Sequence, residues 1–159
     1  MKITHHLKYT AVLSIVLLYF WDLKQIFLFS LGSILIDIDH CVFYVLQFRT
    51  FNVRKLFDYY NEWLPNVKDK IPYAGICIFH TIEIYIIVSI ISIYTEFVFY
   101  LLVGMIFHFM LDFISLYKNR CLFLRAHSIV EHFIRIKKHV KYGYPLYDLI
   151  LKDDERFQP

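Results

Sequence analysis

The chain has 159 residues, of which 58% are hydrophobic and 19% aromatic, against 19% charged and a formal net charge of +3. That length suits one domain, but the Ile, Phe and Tyr content exceeds what so small a core can hide from water, so a purely water-soluble protein is disfavoured and lipid is the expected surroundings. Four Gly and four Pro leave little room for linkers, and the three cysteines, Cys41, Cys77 and Cys121, are an odd number without CxxC spacing, so neither a disulfide framework nor an all-cysteine zinc site is suggested.

The first apolar stretch is Tyr9–Trp21. With the basic start Met1-Lys2 through Lys8 it has the outline of a signal peptide, yet Trp21-Asp22-Leu23-Lys24 offers no small-residue cleavage site, so a retained helix is expected. The second stretch, Gln25–Ile36 with a continuation to Phe48, pairs with the first as a short or partly inserted hairpin. Arg49–Tyr73 is polar, holds Pro65 and Pro72, and reads as a solvent-side connection with one amphipathic helix. Ile76–Tyr94 and Phe97–Tyr117 follow, each near the ~20 residues that cross a ~30 Å hydrocarbon core. From Lys118 the chain turns basic, and Arg125–Lys141 mixes Ile and Val with Arg, Lys and His as a helix lying on a membrane surface does. The fold expected is all-α: a membrane-embedded bundle of about four apolar helices in two hairpins, plus a cytoplasmic amphipathic helix, all one domain over residues 1–159.

Only Lys24 of the 17 Lys and Arg residues falls on the face carrying the tight turns Trp21–Lys24 and Tyr94–Glu96. The positive-inside rule therefore expects a multi-pass protein of the cell membrane with its termini and long loop in the cytoplasm.

Ionisable groups interrupt the apolar stretches at few places: His5 and His6, Asp37-Ile38-Asp39-His40, His80 and Glu83, and His108 and Asp112. Such groups at membrane depth are costly and usually functional. His80 lies 14 residues before Tyr94 and His108 lies 14 after it, so in a helical hairpin both sit roughly 21 Å from the turn. His6 and Asp37 are likewise equidistant from the Trp21–Lys24 turn. His108 and Asp112 are spaced i and i+4 and His80 and Glu83 i and i+3, spacings that share a helix face. The candidate metal ligands are thus His6, Asp37, Asp39, His40, His80, His108 and Asp112, converging on one site. A mixed N/O set of this kind suits Zn first, with Mn or Fe next, rather than Ca or Mg. Asp37 or Glu83 is the candidate general base, and seven ligands leave room for more than one ion.

The same residues have plainer readings. Asp37 to His40 can be a solvated helix end, and His80 with Glu83 a satisfied core hydrogen bond. Cys77 reads as a buried inert thiol, and His127, His132 and His139 as surface imidazoles in the basic tail, with Glu131-His132 the one pair there able to approach the site. A cation transporter or sensor would use the same ligands, but the tight-turn halves Ile84–Ile93 and Phe97–Phe107 hold no second ionisable site to relay an ion.

His6, Leu35-Ile36-Asp37-Ile38-Asp39-His40, Phe79-His80-Thr81 and Gly104–Asp112 with its His-x-x-x-Asp resemble, in order and spacing, the motifs of the LexA-regulated membrane-bound metal-dependent hydrolases. That family has an early His, a Pro-Asp-x-Asp-His-Pro element, a Thr-His-Ser element and a His-x-x-x-Asp element, and the resemblance covers about residues 5–115. Ile36 and Cys41 stand where the family has its prolines, and no His-Arg pair precedes His80 to supply a substrate-binding cation. The resemblance implies a membrane-bound hydrolase. The likeness of its His-x-x-x-Asp element to that of zinc-dependent phospholipases C implies a phosphoester or lipid ester as substrate. Membrane lipid is the expected partner and nucleic acid is not.

Overall fold

The computed structural model describes residues 3–60, 75–119, 122 and 125–142. Helix α1 runs Ile3–Leu17 and α2 Leu23–Leu35. Helix α3 spans Ile38–Phe48, α4 Val53–Asp58, and a two-residue strand β1 Gly75–Ile76 leads into a 3₁₀ turn at Ile78–His80. Helix α5 covers Ile82–Tyr94, α6 Glu96–Lys118, strand β2 Arg125–Ala126, and α7 Ile129–Tyr142. Pro65, Pro72, Lys68 and Lys70 of the expected polar connection lie outside the described residues, as does Cys121.

The chain forms two compact units, one of Met1–Ile38 with Ile82–Arg120 and the other of Asp39–Thr81 with Cys121–Pro159. The first contains α1, α2, α5 and α6. Asp22 starts α2 with a reciprocal cap: its carboxylate accepts the Gln25 backbone N–H at 2.8 Å, and its own N–H donates to Gln25 Oε1 at 3.1 Å. The α5–α6 connection is Thr95 alone. Helices α2 and α6 make the most extensive packing of the unit, and their backbones touch. A Cβ on Gly32 would stand 2.2 Å from the Leu101 carbonyl oxygen and one on Gly104 2.0 Å from that of Phe29, so neither position admits a side chain. Helix α1 joins α2 through hydroxyls, Thr10 to Ser33 at 2.7 Å and Ser14 to Ser30 at 3.0 Å.

This unit buries polar side chains beside Phe29, Ile36 and Leu102 and leaves many apolar ones exposed. His6, Thr10, Ser33, His108 and Asp112 are buried, while Val12, Ile15, Val16, Ile86, Ile87 and Ile90 are each more than half exposed. Water penalises that arrangement and lipid favours it. Leu23–Val42 and Glu96–Lys118 are long and apolar enough to cross a membrane. At 1.5 Å per residue, the 23 residues of α6 reach about 34 Å, beyond a ~30 Å core.

Two expectations from sequence need correction. Ile76–Tyr94 is not one spanning helix: its start is spent on β1 and the 3₁₀ turn, and α5 keeps only 13 residues. The first helix begins at Ile3 rather than near Tyr9, which puts His5 and His6 on α1, His5 exposed and His6 buried.

The second unit is built differently. Gly75 pairs with Arg125 and Ile76 with Ala126 in a parallel two-stranded sheet. Tyr44 and Tyr59 are buried together at 5.7 Å between ring centroids. On α7, Val130, Phe133 and Ile134 are exposed at i, i+3 and i+4, beside exposed Lys137 and Lys138.

Candidate metal centre

Grouped by the unit each belongs to, the expected ligands make two sets, His6, Asp37, His108 and Asp112 in the first and Asp39, His40 and His80 in the second. In the first set, i,i+4 spacing on α6 puts Asp112 one turn beyond His108, as the sequence expects. The fully buried His108 contacts the Ser33 carbonyl oxygen through Nδ1 at 2.7 Å. A carbonyl only accepts, so Nδ1 carries the proton and Nε2 is the atom left to bind a cation. Nε2 faces Asp37 Oδ1 at 3.3 Å and Asp112 Oδ2 at 3.8 Å. A lone pair beside two carboxylates is repulsive unless positive charge stands among them. A proton on Nε2 answers one carboxylate, whereas a divalent ion answers both. This is the arrangement in which a backbone carbonyl fixes the tautomer of a metal-binding imidazole.

His6 completes the set. Its Nε2 lies 3.0 Å from Asp112 Oδ1, and its ring stacks on His108 with centroids 3.9 Å apart and planes 9° from parallel. With Asp112 ionised, Nε2 donates, and Nδ1 keeps a buried lone pair with no hydrogen-bond partner among the described residues. Leaving such an atom unsatisfied costs about 1–3 kcal/mol. Donor atoms of His6, His108 and Asp112 all lie within 4.8 Å of one another, so the set can hold a metal ion. Asp37, whose Oδ1 lies 3.3 Å from His108 Nε2, comes from the interruption between α2 and α3, where its N–H turns back to the Ile34 carbonyl at 3.2 Å.

The second set gathers Asp39, His40, Cys77 and His80, all buried and again within 4.8 Å. Asp39 Oδ2 accepts the Phe79 backbone N–H at 3.0 Å and the His80 Nδ1 proton at 3.1 Å. His80 therefore offers Nε2, held by a carboxylate as metal-binding imidazoles commonly are. Asp39 Oδ1 is buried with no hydrogen-bond partner among the described residues and sits 3.8 Å from His40 Nδ1. Cys77 Sγ is 3.1 Å from the same Nδ1, and Arg125 Nη1 is 3.3 Å from His40 Nε2. Tyr60 donates to the His40 carbonyl oxygen at 2.9 Å. Burial, with Cys77 next in effect, pushes that phenol far above its usual range, so it stays a donor.

Sequence reasoning left two residues out of the centre. Cys77 is buried, as expected, with its Sγ 3.1 Å from His40 Nδ1, and the signal for that neighbourhood was its spacing from His80. In a 3₁₀ turn residues three apart eclipse, and the His80 N–H bonds the Cys77 carbonyl at 3.0 Å. Arg125 stands 3.3 Å from His40, brought by strand pairing that no local pattern announces. The i,i+3 geometry expected of His80 and Glu83 on one helix is not formed, because His80 precedes α5. The equal-height comparison of His80 with His108 loses its premise for the same reason. Glu83 lies half-buried in the first turn of α5 and joins neither donor set among the described residues.

In the tail, Glu131 accepts the His127 backbone N–H at 2.9 Å and pairs with Arg135 one turn on. Burial opposes its charge, but these contacts outweigh burial and hold its pKa below the usual carboxylate range. His127 Nε2 donates to the Leu122 carbonyl at 3.0 Å. Burial lowers the pKa of His132, so that ring is mostly neutral near pH 7.

Comparison with protein-family models, with curated proteins and with solved structures returns no match for this chain.

Proposed function

We propose that this protein is a multi-pass membrane metal-dependent hydrolase acting on a phosphoester or lipid ester, with its catalytic ion held by His6, Asp37, His108 and Asp112. The observation that carries this reading is the buried His108, fixed through Nδ1 on the Ser33 carbonyl while Nε2 faces two carboxylates. A bound zinc, or manganese or iron, would supply Lewis acidity and activate water near neutral pH.

The chain's own residues do the rest. Ser33 and Asp112 hold the two imidazoles in register, and burial keeps bulk water from competing for the donors. Asp37, the least buried member at 16% side-chain exposure, is the candidate general base because it stands at the open edge of the set. The resemblance to the membrane-bound hydrolases supports the same chemistry on the same residues, and the exposed apolar side chains of the first unit support a lipid setting. The exposed Val130, Phe133 and Ile134 with Lys137 and Lys138 fit α7 to an anionic lipid surface, consistent with a cytoplasmic site.

Metal content of the detergent-purified protein, measured beside hydrolysis of a generic phosphodiester, tests the reading. The expected result is bound zinc together with hydrolysis that chelation abolishes and zinc restores. A protein that binds metal stoichiometrically yet cleaves neither phosphodiesters nor carboxyl esters would instead be a transporter or sensor.

A further inference from the structure

We infer that the second unit holds a metal site of its own, in which Cys77 contributes a thiolate beside Asp39, His40 and His80. This centre differs in donor chemistry from the all-N/O set assigned to hydrolysis.

Geometry comes first. Four donor residues of three kinds, carboxylate, imidazole and thiol, converge within 4.8 Å, and all four are buried. Zinc binds sulfur at ~2.3 Å and nitrogen or oxygen at ~2.0–2.2 Å, so tetrahedral coordination sets S and N about 3.5 Å apart and N and O about 3.4 Å apart. Cys77 Sγ and His40 Nδ1 stand at 3.1 Å, and His40 Nδ1 and Asp39 Oδ1 at 3.8 Å. Opening one gap and closing the other by roughly 0.4 Å brings both to that geometry, a movement within reach of side-chain torsions.

The second line of evidence is Asp39 Oδ1 itself. It is a carboxylate oxygen with less than 1 Å² of accessible surface and no hydrogen-bond partner among the described residues. Its sister oxygen is already committed to the Phe79 N–H and to His80. An uncompensated carboxylate oxygen is costly to bury, and a cation is its natural complement. His80 stands beside the same donors, its Nδ1 3.1 Å from Asp39 Oδ2.

Chemical class follows from the sulfur. A thiolate with two imidazoles and a carboxylate favours zinc over magnesium, calcium or manganese. Binding releases the thiol proton. It also needs the His40 proton on Nε2, since Nδ1 must present its lone pair. In this structure Arg125 donates toward Nε2, so Nδ1 carries the proton and donates to Cys77. Loading the site therefore breaks the Arg125 contact, because two donors cannot face each other. The guanidinium is released as the ion enters.

Cobalt(II) replaces zinc as the probe, because a thiolate ligand gives cobalt a near-ultraviolet charge-transfer band that N/O ligands do not. The full chain in detergent, stripped by chelation and titrated with cobalt, should show that band. It should be lost in Cys77→Ser and Cys77→Ala and kept in Cys41→Ala and Cys121→Ala. Cys77→Ser should weaken zinc binding at this site by more than the ~10–100-fold typical of losing an outer-shell partner. Unchanged far-ultraviolet circular dichroism, with cobalt d–d bands retained from the other centre, would show that the variants fold. Bound cobalt without a charge-transfer band in the parent, or a band that survives Cys77→Ser, would overturn the inference. Hydrolysis persisting in Cys77→Ser after loss of the band would leave the proposed function standing, whereas loss of hydrolysis in His108→Ala with the band intact would leave this inference standing.

Discussion

The two donor sets use similar residues on different scaffolds. In the first unit His6, His108 and Asp112 project from α1 and α6, and α6 is a regular helix of 23 residues. In the second, Asp39 and His40 open α3, Cys77 precedes and His80 ends a three-residue 3₁₀ turn, and a two-residue strand pair anchors Arg125 nearby. Long helices convert sequence spacing into position with little freedom, so their ligands are rigid and their chemistry is readable. Short elements hold position through hydrogen bonds among the donors themselves, so a change in one donor is felt by its neighbours. The donor atoms differ as well: nitrogen and oxygen alone in the first set, with sulfur added in the second. The first therefore suits an ion that must keep an exchangeable position, and the second an ion held tightly.

The largest effect should come from His108→Ala. It removes the imidazole that faces Asp37 and Asp112, and is expected to abolish phosphodiester hydrolysis and the metal of the first set. The cobalt–thiolate band of the second set should survive. Simultaneous loss of both signals would show that the two sets act as one centre, and elemental analysis beside the cobalt spectrum decides between these outcomes.

Gly104→Ala should follow in size. The added Cβ meets the Phe29 carbonyl oxygen at 2.0 Å, and backbone cannot rotate away as a side chain can. Helices α2 and α6 must separate, drawing the Ser33 carbonyl from His108. Overpacking typically costs ~1–3 kcal/mol, occasionally more. Thermal unfolding in detergent should move down accordingly, with metal affinity of the first set falling in parallel.

Asp112→Asn sharpens the assignment within the first set. As a ligand, Asp112 should lose more than the ~10–100-fold in metal affinity expected of an outer-shell partner. Isothermal titration with zinc, using Cys77→Ser as the background to silence the other set, measures that loss. A loss within that ~10–100-fold range would assign Asp112 to orienting His6 instead.

Arg125→Ala should act in the opposite direction. The hydrogen bond it removes stabilises the His40 tautomer that cannot ligate through Nδ1, so zinc affinity of the second set should rise, by at most about tenfold for a bond worth roughly 1.4 kcal/mol. A fall in affinity would mean that Arg125 supports the loaded state.

The smallest effect belongs to α7. The pKa of Glu131 is depressed below the ordinary carboxylate value, so its contribution is complete above the unfolded value near ~4.3 and is lost as pH falls through the lower folded one. Acidification through that window should fray α7 by the few tenths of a kcal/mol typical of a surface helical i,i+4 pair. Glu131→Gln should remove the pH dependence, as read by amide exchange on α7.

Sequence alone identified the apolar stretches that became α1, α2 and α6, and the i,i+4 relation of His108 and Asp112, because hydrophobic content and helical spacing are local properties. It also singled out seven polar positions as too costly to be incidental. The residues themselves could not show that Gly75 to His80 leave the helix, since an apolar run reads alike for helix and strand. Nor could they show that Arg125 reaches His40, 85 positions away. Tertiary structure decided which ligands share a unit, which imidazole nitrogen carries the proton and that Cys77 has a partner. Each of these depends on a hydrogen bond between residues distant in the chain, and such a bond has no period for a sequence to display.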